Sequence, residues 1–505
     1  KEGCTWSEDG VKTPTGFKEA YQQYVEGGWP GANPTDDAFF RDPPKLKRAK
    51  FTAFGMTRRP GRSVENDPGV AALIDVKPAA VCMVGKTWDY HVDVALEIPR
   101  EENVAMIADS IAHAKARTGE ALFDAEHFFD GYKANPDYAL SCVKAAYEAG
   151  ARWVVLCDTN GGTLPSEIMQ ICQAVKARIP NTPFGIHTHN DCELAVANAI
   201  AAVKAGANQI QGTINGYGER TGNCNLTSVI PILQLKMGLK VVPHLENLRD
   251  LSYFVDDVSN NPHFARAPFI GRTAFAHKGG MHVNAVRKNR RSYEHIDPAS
   301  VGNEQNILVS ELSGQDNILL KAAQLGLPLE KGSAEAKAIL KRVKELEHEG
   351  YSFEAAGGSL ELLILRELGD HQKPFNLTEY HTSFRQYRDG HPPVCEATVK
   401  LVVGGTPELT VAEGHGVVNS LDLALRKALL PFYPEIASVS LVDYKVRIID
   451  GHEATAAKTR VLIVSTDGEK TWGTVGVSEN IIEASWLALV DGIDLFLQRR
   501  KAKND

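Results

Sequence analysis

Three scarcities narrow the field before any motif is read. No apolar run in the chain approaches the roughly 20 residues that a membrane-spanning helix needs, and no secretory leader pattern is visible. Basic residues are outnumbered: 55 Lys and Arg face 63 Asp and Glu, a net charge of -8. Nucleic acid would want a positive stripe, so it is not an expected partner. The basic patches RRP at Arg58 and RKNRR from Arg287 are short, fit at most for a small anion, and for the first a solvated loop explains it as well. Cysteine is thinly spread. Cys4, Cys82, Cys142, Cys157, Cys172, Cys192, Cys224 and Cys395 form no CxxC pair. Reduced thiols in the cores of a cytoplasmic protein are therefore expected. An initiator methionine is missing too, so the chain is expected to be a fragment or trimmed at its start.

What is present points to a soluble globular α/β protein. Apolar residues make up 43% and charged residues 23%, a globular balance. At 505 residues the chain exceeds one ordinary domain. A barrel of roughly 250 residues with further units fits that length. FTAFGM, AAVCMVG, EALFDAEHFF, RWVVLCDTNGG, PFGIHTHND and NQIQGTING read as buried parallel strands. Helical stretches such as NVAMIADSIAHAKART and CELAVANAIAAVKAGA alternate with them, several ending in Gly. This rhythm predicts a (β/α)8 TIM barrel over residues 1–240, with an open doubly wound sheet as the alternative. The stretch from Gly3 to Pro30 fits poorly. A barrel places its first helix there, yet Pro14 and Gly16 interrupt one. Residues 241–388 read as helical linker subdomains, and 389–505 as an α+β regulatory or dimerisation domain without a catalytic cluster.

Polar residues gather where a barrel keeps its chemistry, at the C-terminal ends of strands. Glu126, Asp158, His187, His189 and Asn215 all fall there. His187 and His189 are two apart, so on a strand they share a face and point into the mouth together. Such imidazoles suit a divalent metal, although two polar residues closing a strand would look the same. The loop GYGERTGNCN follows the next strand and offers Asn223 as a third ligand; Glu219 and Arg220 are expected to pair with each other. Glu126 sits among apolar neighbours, where a carboxylate is costly unless it has a role or a partner. Thr159 offers a hydroxyl to a substrate carboxylate, or a helix cap. His277, His282 and Asn284 lie beyond the barrel repeat, and a histidine carried over the mouth is a candidate general base.

Taken together, GIHTHND, NGYGERTGN, LCDTNGGTLP and FAHKGGMHVNAV resemble the acyltransferase family of isopropylmalate, citramalate and homocitrate synthases. Within it, VEGGWPGANP, AFGMTRR, GKTWDYHV and AEHFFDGYKANPDYA resemble the citramalate branch, and the likeness runs from about residue 20 to 500.

The resemblance implies a metal-dependent barrel that condenses acetyl-CoA with a 2-oxo acid. Pyruvate is the expected acid and isoleucine biosynthesis the expected context. His187, His189 and Asn223 match metal ligands, for Mg2+, Mn2+ or Zn2+. Glu126 matches the catalytic glutamate, Thr159 a residue near the oxo-acid carboxylate, and His282 and Asn284 a pair from the subdomain after the barrel. Arg58 and Arg59 belong to a different family motif. A homodimer with isoleucine as feedback inhibitor is implied as well. One departure stands out: the family's first strand, with its Arg-Asp pair in a TLRDG-like motif, has no match, and Glu2-Gly3 resembles only its tail, so the first strand of the barrel is expected to be missing. Three rival readings follow: a 2-isopropylmalate synthase acting on 2-oxoisovalerate (or a relative acting on 2-oxoglutarate), a lyase running the reverse cleavage, and a non-catalytic effector-binding homologue.

Overall fold

The computed structural model describes residues 3–8, 20–43, 45–47, 49–277, 282, 285–286, 288–307, 315–324, 326–327, 329–388, 392–449 and 457–504. The chain divides into two compact units, Lys1–Phe275 with Ile296–Glu304, and Ala276–His295 with Gln305–Asp505.

The first unit is a closed barrel. Its strands are β1 (Gly3–Glu8), β2 (Ala20–Glu26), β3 (Lys50–Met56), β4 (Ala80–Lys86), β5 (Ala121–Glu126), β6 (Trp153–Asp158), β7 (Phe184–Thr188) and β8 (Gln209–Gly212), hydrogen-bonded in that order around the ring. The six strands read from the sequence are β3 to β8. Strands β2 to β8 run parallel. Strand β1 runs against both neighbours, β2 and β8, and closes the ring. The described part of the Gly3–Pro30 stretch is therefore extended, not helical. Residues 9–19, with Pro14 and Gly16, lie outside the described residues. Ala20–Glu26 carries Tyr21, Tyr24 and Val25, residue types enriched in strands.

Alternation along each strand builds two cores. Tyr24, Cys82, Leu122, Trp153, Val155 and Cys157 fill the barrel interior. Their neighbours Val81, Met83, Phe123, Val154 and Leu156 face outward, into the core shared with the surrounding helices. The helices Arg100–Thr118 and Ala195–Ala205 each stop at a glycine of positive φ, Gly119 at 86° and Gly206 at 109°, a left-handed cap that side chains with a Cβ resist. Arg58 does not occupy a solvated loop. Its guanidinium is buried, held by Asp109 at 2.9 Å and by the Arg62 carbonyl at 3.0 Å. Arg287 lies outside the described residues. Cys82, Cys142, Cys157, Cys172, Cys224 and Cys395 are buried free thiols, whereas Cys192 is exposed.

The second unit opens with a short parallel pair, β9 (Ala276–His277) and β10 (Asn306–Ile307). Helices Gln315–Gln324, Ala334–His348 and Gly357–Leu368 follow, sharing a core of Ile318, Ile339, Val343, Leu360 and Ile364. Then a strand-strand-strand-helix pattern occurs twice. Strands β11 (Asn376–Arg385), β12 (Val394–Val403) and β13 (Thr406–Gly414) precede the helix Val417–Leu429. Strands β14 (Ser440–Ile448), β15 (Thr459–Thr466) and β16 (Thr471–Ser478) precede the helix Ile481–Asn504. This sheet framework begins at Asn376, upstream of residue 389, where the composition changes. Ala397, Val399, Leu401, Leu421, Leu425, Trp472 and Phe496 lie in one core, so the two repeats are joined through it.

Candidate active site

Strand parity decides which side chains reach the barrel mouth. On β5, Leu122 faces inward, so Asp124 and Glu126 do too; on β4, Cys82 carries Lys86 to the same face. On β7, Ile186 packs outward, which turns His187 inward; on β8, Ile210 outward leaves Gln209 and Gln211 inward. Asp158 has the opposite parity. It accepts from the Thr163 hydroxyl at 2.7 Å and from Asn198 Nδ2 at 3.3 Å, and so braces the turn after β6 against the helix layer. Burial raises its pKa.

The His187 and His189 rings converge. Their Nε2 atoms lie 3.2 Å apart, the spacing expected of two imidazoles that share one cation at roughly 2.1 Å each. His187 Nδ1 lies 2.7 Å from Gln211 Oε1, within hydrogen-bond reach. Burial, and then the neighbouring His187, push the His189 pKa down to about 4, which holds the ring neutral and ligand-competent.

The loop after β8 is zipped to the end of β7. Asn223 bridges His189 in antiparallel fashion, Asn190 N–H donates to the Gly222 carbonyl at 2.9 Å, and Cys224 N–H donates to the Thr188 carbonyl at 2.9 Å. Asn223, bridged to His189, has its Oδ1 buried with no hydrogen-bond partner, an orphaned oxygen that a cation would satisfy. Among the described residues, no group of three His, Cys, Asp or Glu side chains is placed to hold a metal. His187, His189 and Asn223 would offer a divalent cation two imidazoles and one amide.

Beside it stands an ion pair. Lys86 Nζ lies 2.5 Å from Glu126 Oε2, and the Glu126 carbonyl accepts from the Thr87 hydroxyl at 2.7 Å. Next to the pair, the His91 and His127 rings meet edge-on at 4.3 Å, with Trp88 against both. Burial, followed by His127, lowers the His91 pKa.

The remaining candidates divide. Thr159 Oγ1 accepts from the His127 N–H at 2.9 Å, tying the ends of β5 and β6 together. Arg220 pairs with Glu219 as expected, at 3.9 Å, but its closer partners lie elsewhere. It grips Asp191 bidentately at 2.7 and 2.8 Å and also donates to the Thr159 carbonyl at 2.7 Å. Asn215, at φ 63°, turns away to Ser252 and Asp256 of the helix Leu248–Val258. His277 and His282 belong to the second unit: His277 Nε2 lies 3.3 Å from Glu294 Oε1, and His282 is exposed and stacked on Tyr293 at 4.3 Å. Asn284 lies outside the described residues. Sequence reasoning passed over Lys86, Asp124 and Gln211. The signal available for Lys86, Asp124 and Gln211 was a polar residue at inward parity in an otherwise apolar strand.

Comparison with known proteins agrees with this layout. Residues 24–255 match the HMGL-like family model, 269–351 the homocitrate synthase post-HMGL domain-like model, and 354–497 the LeuA allosteric (dimerisation) domain model. The chain is 51% identical to an (R)-citramalate synthase of Aquifex aeolicus, covering 97% of this chain and 94% of the relative. It is 48% identical to one of Geobacter sulfurreducens, with the same coverage. A 2-isopropylmalate synthase of Pseudoalteromonas atlantica is more distant, at 31% over 92% of this chain and 87% of the relative. Such identity along nearly the whole length, with the barrel model and the dimerisation model in the same order, places this chain in the (R)-citramalate synthase family.

Proposed function

We propose that this protein condenses acetyl-CoA with pyruvate and hydrolyses the resulting thioester, releasing (R)-citramalate and CoA, in isoleucine biosynthesis. The observation that carries the reading is the pairing of two converging imidazoles with a Lys86–Glu126 ion pair at one end of a barrel, in a chain 51% identical to an (R)-citramalate synthase. The 2-isopropylmalate synthase reading rests on weaker similarity.

His187, His189 and Asn223 would hold a divalent cation, which would supply Lewis-acid polarisation of the oxo-acid ketone. The protein's own groups do the rest. Gln211 orients His187. The Thr159 hydroxyl, already accepting one bond, keeps its own proton to donate to the oxo-acid carboxylate. His282 takes a proton from the acetyl methyl, and Glu126 orients the reacting groups. The new carbon–carbon bond converts the ketone to a tertiary alcohol, and water then cleaves the thioester to free CoA.

The barrel is assigned the catalysis, the helical segment the link, and the C-terminal strand-helix repeats dimerisation and feedback by isoleucine. No helix among the described residues is long and apolar enough to cross a membrane, in keeping with a cytoplasmic site of action.

The deciding assay follows free CoA with a thiol reagent, using Mn2+, acetyl-CoA and, in parallel, pyruvate, 2-oxoisovalerate or 2-oxoglutarate. Pyruvate-dependent release is expected. Preference for 2-oxoisovalerate would transfer the protein to isopropylmalate synthesis, and silence with all three would favour an effector-binding role.

A further inference from the structure

Gln211 lies on β8 directly opposite His187 of β7 in the strand register. It is buried, and both ends of its side-chain amide are engaged. Oε1 meets His187 Nδ1 at 2.7 Å; Nε2 meets Asp124 Oδ1 at 2.9 Å and Cys82 Sγ at 3.8 Å. The amide has one donor end and one acceptor end, and the Asp124 contact selects which faces which. With Nε2 committed to the Asp124 oxygen, Oε1 is left to face the imidazole. An oxygen can only accept, so His187 must present N–H at Nδ1. The Nε2 lone pair is then directed at His189 and the barrel mouth. Gln209, two residues earlier on the same face, makes no such relay: both of its amide atoms are buried without a partner.

We propose that Gln211 is a positioning residue: with Asp124 behind it, it locks His187 into the Nδ1–H tautomer and so keeps Nε2 available as a metal ligand. The chain Asp124–Gln211–His187 does for this ring what a carboxylate or backbone carbonyl does for ligating histidines in general. The metal half of this inference rests on the site reading given under Proposed function; the tautomer half does not.

Two measurements on the full-length chain test it, with wild type, Gln211→Leu and Gln211→Glu. Leu removes the acceptor at similar size, and Glu keeps an oxygen toward His187. The first is the histidine ring 15N spectrum in metal-free buffer. Wild type is expected to show His187 as a single Nδ1–H tautomer, retained in Gln211→Glu and replaced by a tautomer mixture or the Nε2–H form in Gln211→Leu. The second is calorimetric titration with Mn2+ alone, where Gln211→Leu is expected to bind 10- to 100-fold more weakly and Gln211→Glu to recover much of the loss. If Gln211→Leu keeps the wild-type tautomer, or binds Mn2+ as wild type does, the inference is overturned. If wild type itself takes up no Mn2+, the metal reading falls and the 15N spectra alone decide the role of Gln211. Should the Leu variant not fold, Gln211→Glu still decides, since a shifted tautomer in the variant that keeps the acceptor contradicts the relay.

Discussion

Lys86 and Glu126 are register partners on β4 and β5, and their side chains meet at 2.5 Å at the barrel mouth. Both are partly exposed, so the pair is within reach of substrate. Glu126→Gln keeps the shape and removes the charge. It is expected to lower kcat by roughly 100-fold or more, the scale on which misplaced reacting groups lose rate, with Mn2+ affinity unchanged. Lys86→Met is expected to lower kcat as well and to leave the fold intact. Steady-state CoA release beside Mn2+ calorimetry checks this, and an undiminished kcat in Glu126→Gln would remove that residue from the chemistry.

The metal reading makes a separate demand. Chelation with EDTA is expected to abolish CoA release, and Mn2+ to restore it. His189→Ala is expected to lose Mn2+ binding altogether. Asn223→Ala is expected to bind more weakly but measurably, because an amide oxygen is a poorer ligand than an imidazole. Full activity in the chelated enzyme would defeat the assignment of all three ligands.

Stability should depend on pH through the barrel interior. Burial, reinforced by Asp124, raises the Glu26 pKa from 4.5 to about 8. The folded protein therefore favours protonated Glu26 more than the unfolded chain does. The associated stability is fully present below about pH 4.5 and is lost as pH rises through about 8. Urea unfolding is expected to become easier from pH 5.5 to pH 8.5 by an amount on the order of a few kcal/mol. Glu26→Gln should be more resistant than wild type at the upper pH, with a flatter profile. The flattening is partial, because burial raises Asp124 in the same direction. Equal slopes for the two proteins would rule out this contribution.

Gly161 separates two costs of adding a methyl group. It has φ 65°, and a Cβ there would come within 2.5 Å of Asp191 Oδ2. Gly119 has φ 86° with open space around it. Gly119→Ala is expected to cost about 1–2 kcal/mol from left-handed backbone alone. Gly161→Ala should cost more and also raise the KM for pyruvate, because it dislodges the carboxylate that Arg220 grips. Thermal unfolding and KM measured on both variants distinguish the outcomes; equal losses with unchanged KM would mean the Asp191–Arg220 clamp is immaterial to the site.

Strands β3 to β8 were legible because each is a short apolar run followed by an amphipathic helix, and buried parallel strands leave that mark strongly. Strand β2 was not, since Gln22 and Gln23 interrupt its apolar pattern and a barrel leads one to expect a helix there. The histidine pair was visible from its spacing alone. The Glu219–Arg220 pair was legible as sequence neighbours and is present at 3.9 Å, but the closer partner Asp191 is 29 residues away, just past β7, and meets Arg220 only because the loop after β8 zips onto β7. Gln211 was hidden for a related reason. Its meaning lies in the register between β7 and β8, and no single-strand pattern encodes register.

The reversed direction of β1 has a practical consequence. Gly3 pairs with Glu26 and Cys4 with Gly212, at the finishing ends of β2 and β8. Strand β1 thus starts at the rim that carries His187 and descends toward the opposite end, where Glu8 pairs with Ala20 at the start of β2. A substitution at Gly3 therefore bears on the same rim as the two imidazoles, whereas one at Glu8 bears on the far rim, although only five residues separate them.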